Sequence, residues 1–151
     1  MTEKIKIYLR EIDLQNASKG TWGVGSKLTR AGAKAAQSIM SVSIKIAEGQ
    51  FITPTSNEIV IPIIADTLSK ISLGLKDPAL FDIPTATFAA LMGQLLLGGN
   101  YGACLVFVTV RALSENSTHI FIRGYSKEPF KNTNSMRWVT QVRNAISANI
   151  P

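Results

Sequence analysis

The sequence has very few of the side chains on which most enzyme and metal chemistry depends. Cys104 is the one cysteine and His119 the one histidine among 151 residues. A single cysteine excludes an intramolecular disulfide and a Cys-based metal site, and a single histidine cannot build the usual zinc sites without carboxylates. The Asp and Glu residues are scattered, and no Ser or Cys lies near His119 at a catalytic spacing. We therefore expect no catalytic residues, metal or cofactor, and we expect Cys104 to be a buried hydrophobe.

Charge is also scarce. Charged residues make up 17% of the chain, against about 25% in an average soluble domain. The exterior is therefore either neutral and polar or buried against partners in an assembly. The net charge is +6, which favours anionic partners. Residues 1–50 and 101–151 hold most of the cations and flank a mildly acidic middle, a distribution that could drive head-to-tail association.

The N-terminus has no apolar segment that would act as a signal peptide, because Met1-Thr2-Glu3-Lys4 leads into alternating charged and apolar residues. We therefore expect an intracellular protein, with a virion or another assembly as the possible setting. The length predicts one domain over residues 1–151.

Alternating or β-branched apolar residues predict several strands. Residues 4–12 alternate with period two and predict a strand. Residues 39–47 fit either a helix or a strand, and we favour a strand that stops at Glu48-Gly49. Residues 58–64 predict an edge or bulged strand because Pro62 lacks a donor. Residues 103–111 and 118–125, joined by 112–117, predict an antiparallel hairpin.

Four helices are predicted between these strands. They cover residues 26–37, with Ser26 as cap, residues 65–75, residues 84–97, which are apolar almost all round, and a C-terminal helix capped by Asn134 or Ser135. On that last helix we place Met136, Val139, Val142 and Ile146 on the packed side. The fold class is therefore α+β: an antiparallel sheet with a C-terminal hairpin, packed by an apolar central helix and a C-terminal amphipathic helix.

The stretch Gly20–Lys27 is glycine-rich and precedes the predicted helix 26–37. Such loops can hold phosphate against free backbone N–H groups. The P-loop pattern fails because Ser26 precedes Lys27, and the dinucleotide pattern fails because Leu28 occupies a glycine position. We interpret the loop as a connection, beside which Lys27, Arg30 and Lys34 share a helix face that would bind anions.

No charged residue occurs from Ile83 to Val110, a length sufficient to span a bilayer. Gly98-Gly99-Asn100 interrupts the segment, and its composition changes there from Leu/Ala-rich to Val-rich. We favour a buried helix, a turn and a central strand over membrane insertion.

Two groups combine basic and aromatic side chains. On strand periodicity His119 shares a face with Phe121, Arg123 and Tyr125, a composition that stacks and neutralises single-stranded nucleic acid, although an ordinary sheet face has the same pattern. Near the C-terminus, Trp138 either anchors its helix in the core, which we favour, or contacts a partner. The predicted anion-binding residues are Lys27, Arg30, Lys34, Arg123, Lys127, Lys131, Arg137 and Arg143, with aromatic contacts from Phe121, Tyr125 and Trp138.

These observations favour contact over catalysis. The leading hypothesis is a non-enzymatic, self-assembling structural or binding protein of the coat, matrix or scaffold type. Its partners would be further copies of itself and an anionic polymer, with nucleic acid expected. The alternative is a peripheral membrane or lipid-binding module that uses the charge-free segment 83–110 and the basic ends of the chain.

Overall fold

Three α-helices and a five-stranded antiparallel sheet make up the described part of the chain. The structure is a computed structural model that describes residues 2–19, 43–93, 103–128 and 131–151. This architecture confirms the α+β class and the C-terminal helix. The helices are α1 (Thr2–Lys19), α2 (Asn57–Ile71) and α3 (Thr133–Asn149), with a 3₁₀ helix at Pro78–Phe81. The strands are β1 (Ser43–Thr53), β2 (Gly74–Lys76), β3 (Phe88–Met92), β4 (Cys104–Ser114) and β5 (Ser117–Glu128), in the sheet order β1-β5-β4-β3-β2.

The C-terminal hairpin is confirmed. Strands β4 and β5 pair antiparallel with Thr109 opposite Phe121, and Glu115 and Asn116 form the turn. The strands are longer than predicted, so the connection is two residues rather than the expected six. Because paired residues lie on the same side of a sheet, this register fixes which side chains of the two strands meet.

Strand β1 pairs with the free side of β5. The strand interpretation of 39–47 is confirmed from Ser43 onward, whereas residues 39–42 lie outside the described residues, as does the predicted helix 26–37. The predicted stop at Glu48-Gly49 is wrong, because β1 continues to Thr53. Gly49 is glycine for a packing reason: an added Cβ would lie 3.0 Å from Val139 Cγ1 on α3.

The predicted strand at residues 4–12 is wrong, because this segment belongs to helix α1. The side chains it buries are Ile5 and Leu9, at 0% and 1% exposure, while Ile7 is 47% exposed. That spacing of four is helical. The alternation of apolar and charged residues therefore predicted the wrong element. This segment is a helix that covers part of one side of the sheet.

The predicted strand at residues 58–64 is also wrong, because helix α2 spans it and runs on to Ile71. Val60, Ile64 and Leu68 form the buried stripe of this helix. Pro62 is tolerated inside it because Pro62 faces solvent, where water can satisfy the carbonyl that it leaves unpaired. The helix predicted for 65–75 thus forms only the end of α2, and Gly74 begins β2 rather than ending a helix.

The apolar central helix predicted for 84–97 is wrong over its described part, because residues 84–87 form a turn and Phe88–Met92 form strand β3. Both faces of β3 are buried: Ala90 and Met92 pack on one side, and Ala89 and Leu91 on the other. A strand buried on both sides loses its polar alternation and cannot be distinguished from a buried helix by periodicity. Among the described residues, no helix is long and apolar enough to cross a membrane.

One face of the sheet, here called the closed face, is covered by α2 and α3. The core between the sheet and these two helices contains Val106, Ile120 and Ile122 from the sheet and Val139, Val142 and Ile146 from α3. These α3 residues were predicted correctly, but Met136 was not, since it is 43% exposed. Gly124 allows α3 to pack closely on β5, because an added Cβ would lie 2.8 Å from Val139 Cγ2.

Candidate binding face

The opposite face of the sheet, here called the α1 face, is covered only in part. Ile5 and Leu9 of α1 pack into a second core with Leu105 of β4 and Tyr125 of β5. Lys4 Nζ lies 2.9 Å from Asp82 Oδ1 and ties α1 to the end of the 3₁₀ helix. The covered half of this face also contains a series of edge-to-face rings, with centroid distances of 5.1, 5.7 and 5.6 Å along Tyr8, Phe81, Phe107 and Tyr125.

Beyond Tyr125, the same face continues without a helix from the described residues. Strand register places polar, aromatic and charged side chains next to one another there: Phe121 lies opposite Thr109 on β4 and Gln50 on β1, and His119 lies opposite Arg111 and Ile52. Ile52 is 62% exposed, which shows how open this region is. We call this group the open patch; its members are Glu48, Gln50, Ile52, Thr109, Arg111, His119, Phe121 and Arg123.

Arg123 lies at the border between the open patch and the covered half, opposite Glu48 on β1 and Phe107 on β4. Its guanidinium carbon lies 5.4 Å from the centroid of the Phe121 ring, in a cation–π contact. Its Nη2 lies 2.5 Å from Glu48 Oε1, and both side chains are partly exposed. The Tyr125 side chain and then the Glu48 carboxylate raise the pKa of Arg123, so this group is a permanent cation. Its Nε is buried and makes no hydrogen bond within the described residues.

His119 and Arg111 extend the patch toward the hairpin turn. His119 Nε2 lies 2.8 Å from Gln50 Oε1, so the imidazole is held by an amide and not by a carboxylate that would orient it for base catalysis. Arg111 is exposed on the neighbouring strand. The open patch therefore carries two guanidinium groups against one carboxylate, which is an excess of positive charge.

A cavity of about 260 Å³ opens between the open patch and the α1-covered half. Three aromatic rings line it, from Phe107, Phe121 and Tyr125. Thr85, Thr109 and Arg123 add polar groups, and Ile83 completes the wall. The lining combines flat apolar surface with hydrogen-bonding groups, which is the usual composition of a ligand site.

The structure separates the predicted site residues into two groups. Phe121, Arg123 and Tyr125 meet on the α1 face, as the strand periodicity predicted, with Lys127 further along the same strand. Arg137, Trp138 and Arg143 belong to α3 on the closed side, with Lys131 exposed just before that helix. Lys27, Arg30 and Lys34 lie outside the described residues. The predicted basic residues therefore do not form one continuous surface within the described chain.

Trp138 packs against the core of the closed face and is only partly buried, which confirms the anchoring interpretation. Its Nε1 is buried without a hydrogen bond among the described residues. Trp138 thus contributes mainly packing, and Phe121 is the partly exposed aromatic ring on the α1 side of β5.

Sequence reasoning missed Arg111, Thr109, Glu48 and Gln50 as members of the patch. The signal for the first two is their place in the hairpin, where an odd-numbered residue of β4 faces an odd-numbered residue of β5. Glu48 and Gln50 could not be found in this way, because the strand was predicted to stop at Glu48-Gly49.

Cys104 and Glu128 form a buried polar group on the closed side. Cys104 is fully buried, as predicted, and its pKa is raised by burial and further by the negative charge of Glu128. The Glu128 carboxylate accepts hydrogen bonds from the backbone N–H groups of Asn134 and Ser135, at 2.5 and 3.1 Å, and from the hydroxyl of Ser126 at 2.6 Å. The prediction that Asn134 or Ser135 caps α3 is wrong: the helix begins at Thr133, and Glu128 satisfies its first N–H groups.

Within the described residues, no three His, Cys, Asp or Glu side chains are grouped so that they could hold a metal ion. Comparison of the chain with protein-family models and with curated proteins gave no match.

Proposed function

We propose that this chain is a non-enzymatic binding protein whose open patch binds single-stranded nucleic acid, and that it works as an assembly of several copies. The observation that carries the nucleic-acid part is the guanidinium of Arg123 over the ring of Phe121, on a half of the sheet that no described helix covers. Aromatic and cationic groups together on an open sheet bind single strands because bases stack on the rings while cations neutralise phosphates.

The ion pair of Arg123 with Glu48 is compatible with this role. Both side chains are more than a third exposed, and an exposed ion pair of this kind contributes little stability. A phosphate can therefore compete with Glu48 for the guanidinium, which has donors to spare. Arg111 offers a second, exposed cation on the same face.

Self-association is supported by apolar side chains exposed at both edges of the sheet. Ile46 and Ile52 are exposed on the edge strand β1, and Leu73 and Leu75 are exposed at or beside β2 on the other edge. Edge strands with exposed apolar residues are surfaces on which another chain can pair. The occupant that we propose is a second copy.

The lipid-binding alternative receives less support. In that alternative the charge-free segment 83–110 supplies the apolar surface that contacts lipid. The described strands of this segment are mostly buried in the two cores, namely β3 and the first part of β4. Side chains in a core are not available to a bilayer surface.

The nucleic-acid proposal is tested by fluorescence anisotropy of a labelled single-stranded 20-mer at several salt concentrations. We expect log Kd to depend linearly on log salt, and Arg123→Gln to reduce the slope by about 0.7, the change expected when one phosphate of a single strand is no longer neutralised. Arg143→Gln is the matched control, since it removes an exposed arginine from α3 on the other side of the sheet. A slope changed only by Arg143→Gln would move the binding surface to α3 and overturn the proposal.

The assembly proposal is tested by size-exclusion chromatography with light scattering after nuclease treatment. We expect a mass above that of one 16.3 kDa chain. Ile52→Lys on one edge and Leu75→Lys on the other should lower it, since a lysine on an edge strand opposes pairing. Ile59→Lys is the control, because Ile59 is similarly exposed but lies on α2. A monomeric wild type contradicts the proposal, and so does an oligomer that survives both edge variants.

A further inference from the structure

The cavity beside Phe121 is smaller than the sites that hold whole cofactors or drug-sized molecules. Its volume is about 260 Å³, below the range of about 300–1,000 Å³ typical of such sites. It therefore suits one ring system and not a complete dinucleotide or an extended lipid chain.

The chemistry of the lining narrows the class of ring. Phe121 provides the partly exposed flat ring of the lining, whereas Phe107 and Tyr125 are almost completely buried and form its floor. A flat ring favours a planar group over a sugar or an aliphatic chain. The hydroxyls of Thr85 and Thr109 can both donate and accept hydrogen bonds, and the guanidinium of Arg123 donates. A planar heterocycle with donors and acceptors on its edge matches this lining better than a plain hydrocarbon ring.

The position of the cavity adds a further constraint. Arg123 belongs both to the cavity wall and to the open patch, and Phe121 lies opposite Thr109 on the neighbouring strand. A ring in the cavity therefore lies next to the permanent cation of the patch. A chemical unit that places a flat heterocycle beside a phosphate is a nucleotide, and the single strand of the proposed function is made of such units.

We infer that this cavity receives one unstacked base of a single strand while the open patch contacts its phosphates. The inference rests on the proposed function and specifies how the same site distinguishes nucleic acid from any other polyanion. Stacking on aromatic side chains is tolerant of base identity, so the cavity gives a preference for bases over bare polyanion and not for one sequence.

The first experiment uses small probes that carry either a base or a phosphate. Adenosine and cytidine have a base but no phosphate, whereas ribose 5-phosphate has a phosphate but no base. In NMR titrations of the full chain, we expect the two nucleosides to shift the methyl signals of Ile83, Thr85 and Thr109. Ribose 5-phosphate should leave these signals in place, and a shift of equal size with it would overturn the inference.

The second experiment compares a single-stranded 20-mer with an abasic 20-mer of equal charge at one salt concentration. We expect the wild type to bind the strand with bases more tightly by about fivefold to a hundredfold, the contribution of one stacked base. Thr109→Phe fills the cavity from the wall next to Phe121 without changing charge and should remove this preference. Thr140→Phe, at an exposed position of α3, is the control and should keep it.

The outcomes separate the inference from the function on which it rests. Equal affinity for the two strands, with a salt slope that still depends on Arg123, overturns the base cavity and leaves the proposed function in place. Failure to bind either strand overturns the proposed function and the inference with it. Unfolding by urea shows whether Thr109→Phe is folded; if it is not, the nucleoside titration of the wild type decides.

Discussion

The two faces of one sheet have opposite characters, although consecutive residues of the same strands build both. On β5, Ile120 and Ile122 point into the closed face and are fully buried. Phe121 and Arg123, which alternate with them along the strand, point to the α1 face and are partly exposed. Two helices seal the closed face, and α1 seals only part of the other. The closed face thus holds the sheet in shape, and no helix among the described residues covers the open patch.

This division has a consequence for binding. Side chains on a strand that is anchored from behind have little freedom to move, so a ligand need not order them at a large cost in entropy. Substitutions on the closed face should therefore change stability, and substitutions in the open patch should change binding.

The largest expected effect is the difference in unfolding free energy between substitutions at two neighbouring residues, Ile122 and Phe121. Ile122→Ala should lower the free energy of unfolding by about 2–5 kcal/mol, because it leaves a cavity in a fully buried core. Phe121→Ala should cost about 1 kcal/mol, since the ring is partly exposed and its contact with Arg123 contributes about 0.5–1 kcal/mol. Urea unfolding measures both values. Equal losses would mean that the two faces share the structural role.

Glu128→Gln should cost about 1–3 kcal/mol. The carboxylate receives only donors, from two backbone N–H groups and two hydroxyls, and an amide would direct its own N–H groups toward some of them. Glu115→Gln in the exposed hairpin turn is the matched control and should change stability by less than about 0.5 kcal/mol. A loss at Glu115 as large as that at Glu128 would contradict the proposed role of Glu128 in satisfying α3.

Gly124→Ala should cost about 1–2 kcal/mol, because the new methyl group would press on Val139, Cys104 and the backbone of Ser135. Gly49→Ala, on the neighbouring strand under the same Val139, has a looser contact of 3.0 Å. Its effect should stay within about 1 kcal/mol, since reduced freedom of the unfolded chain offsets part of the strain. Thermal unfolding of both variants tests this difference, and a more damaging Gly49→Ala would show that α3 packs chiefly on β1.

The hairpin and α3 were predictable because each has one apolar and one polar side, so the period of the pattern is visible in the sequence. Strand β3 was not, because neither of its faces is polar. Helices α1 and α2 were misread for another reason: Ile5 and Ile7, or Val60 and Ile61, satisfy a strand pattern locally, and only the rest of the sheet decides which of them is buried.

The candidate site was predictable in part for the same physical reason. Phe121, Arg123 and Tyr125 share a face whenever their segment is a strand, and the sequence established that segment well. The contact of Arg123 with Glu48 depends on the pairing of two residues that are 75 positions apart in the sequence, and no local pattern contains this pairing. The cavity also depends on where α1 stops covering the sheet. That position is determined only by the packing of the folded chain.

The smallest expected effect concerns the attachment of α1, which sets the border of the open patch. The hydrogen bond from Lys4, together with its charge, lowers the pKa of Asp82, so this pair stabilises the fold above the ordinary carboxyl pKa of about 3.9. That contribution is lost as the pH falls through the lower, folded value. Lys4→Gln should raise the pKa of Asp82 in an NMR titration. Its stability loss at pH 7 should be smaller than that of Glu128→Gln, because both partners of the salt bridge are about half exposed.

Glu3→Gln on the same turn of α1 is the control and should leave the pKa of Asp82 nearly unchanged. If Lys4→Gln has no effect on that pKa, the salt bridge does not hold α1 in solution, and the border of the patch must be set by the packed side chains of α1, among them Ile5, Tyr8 and Leu9.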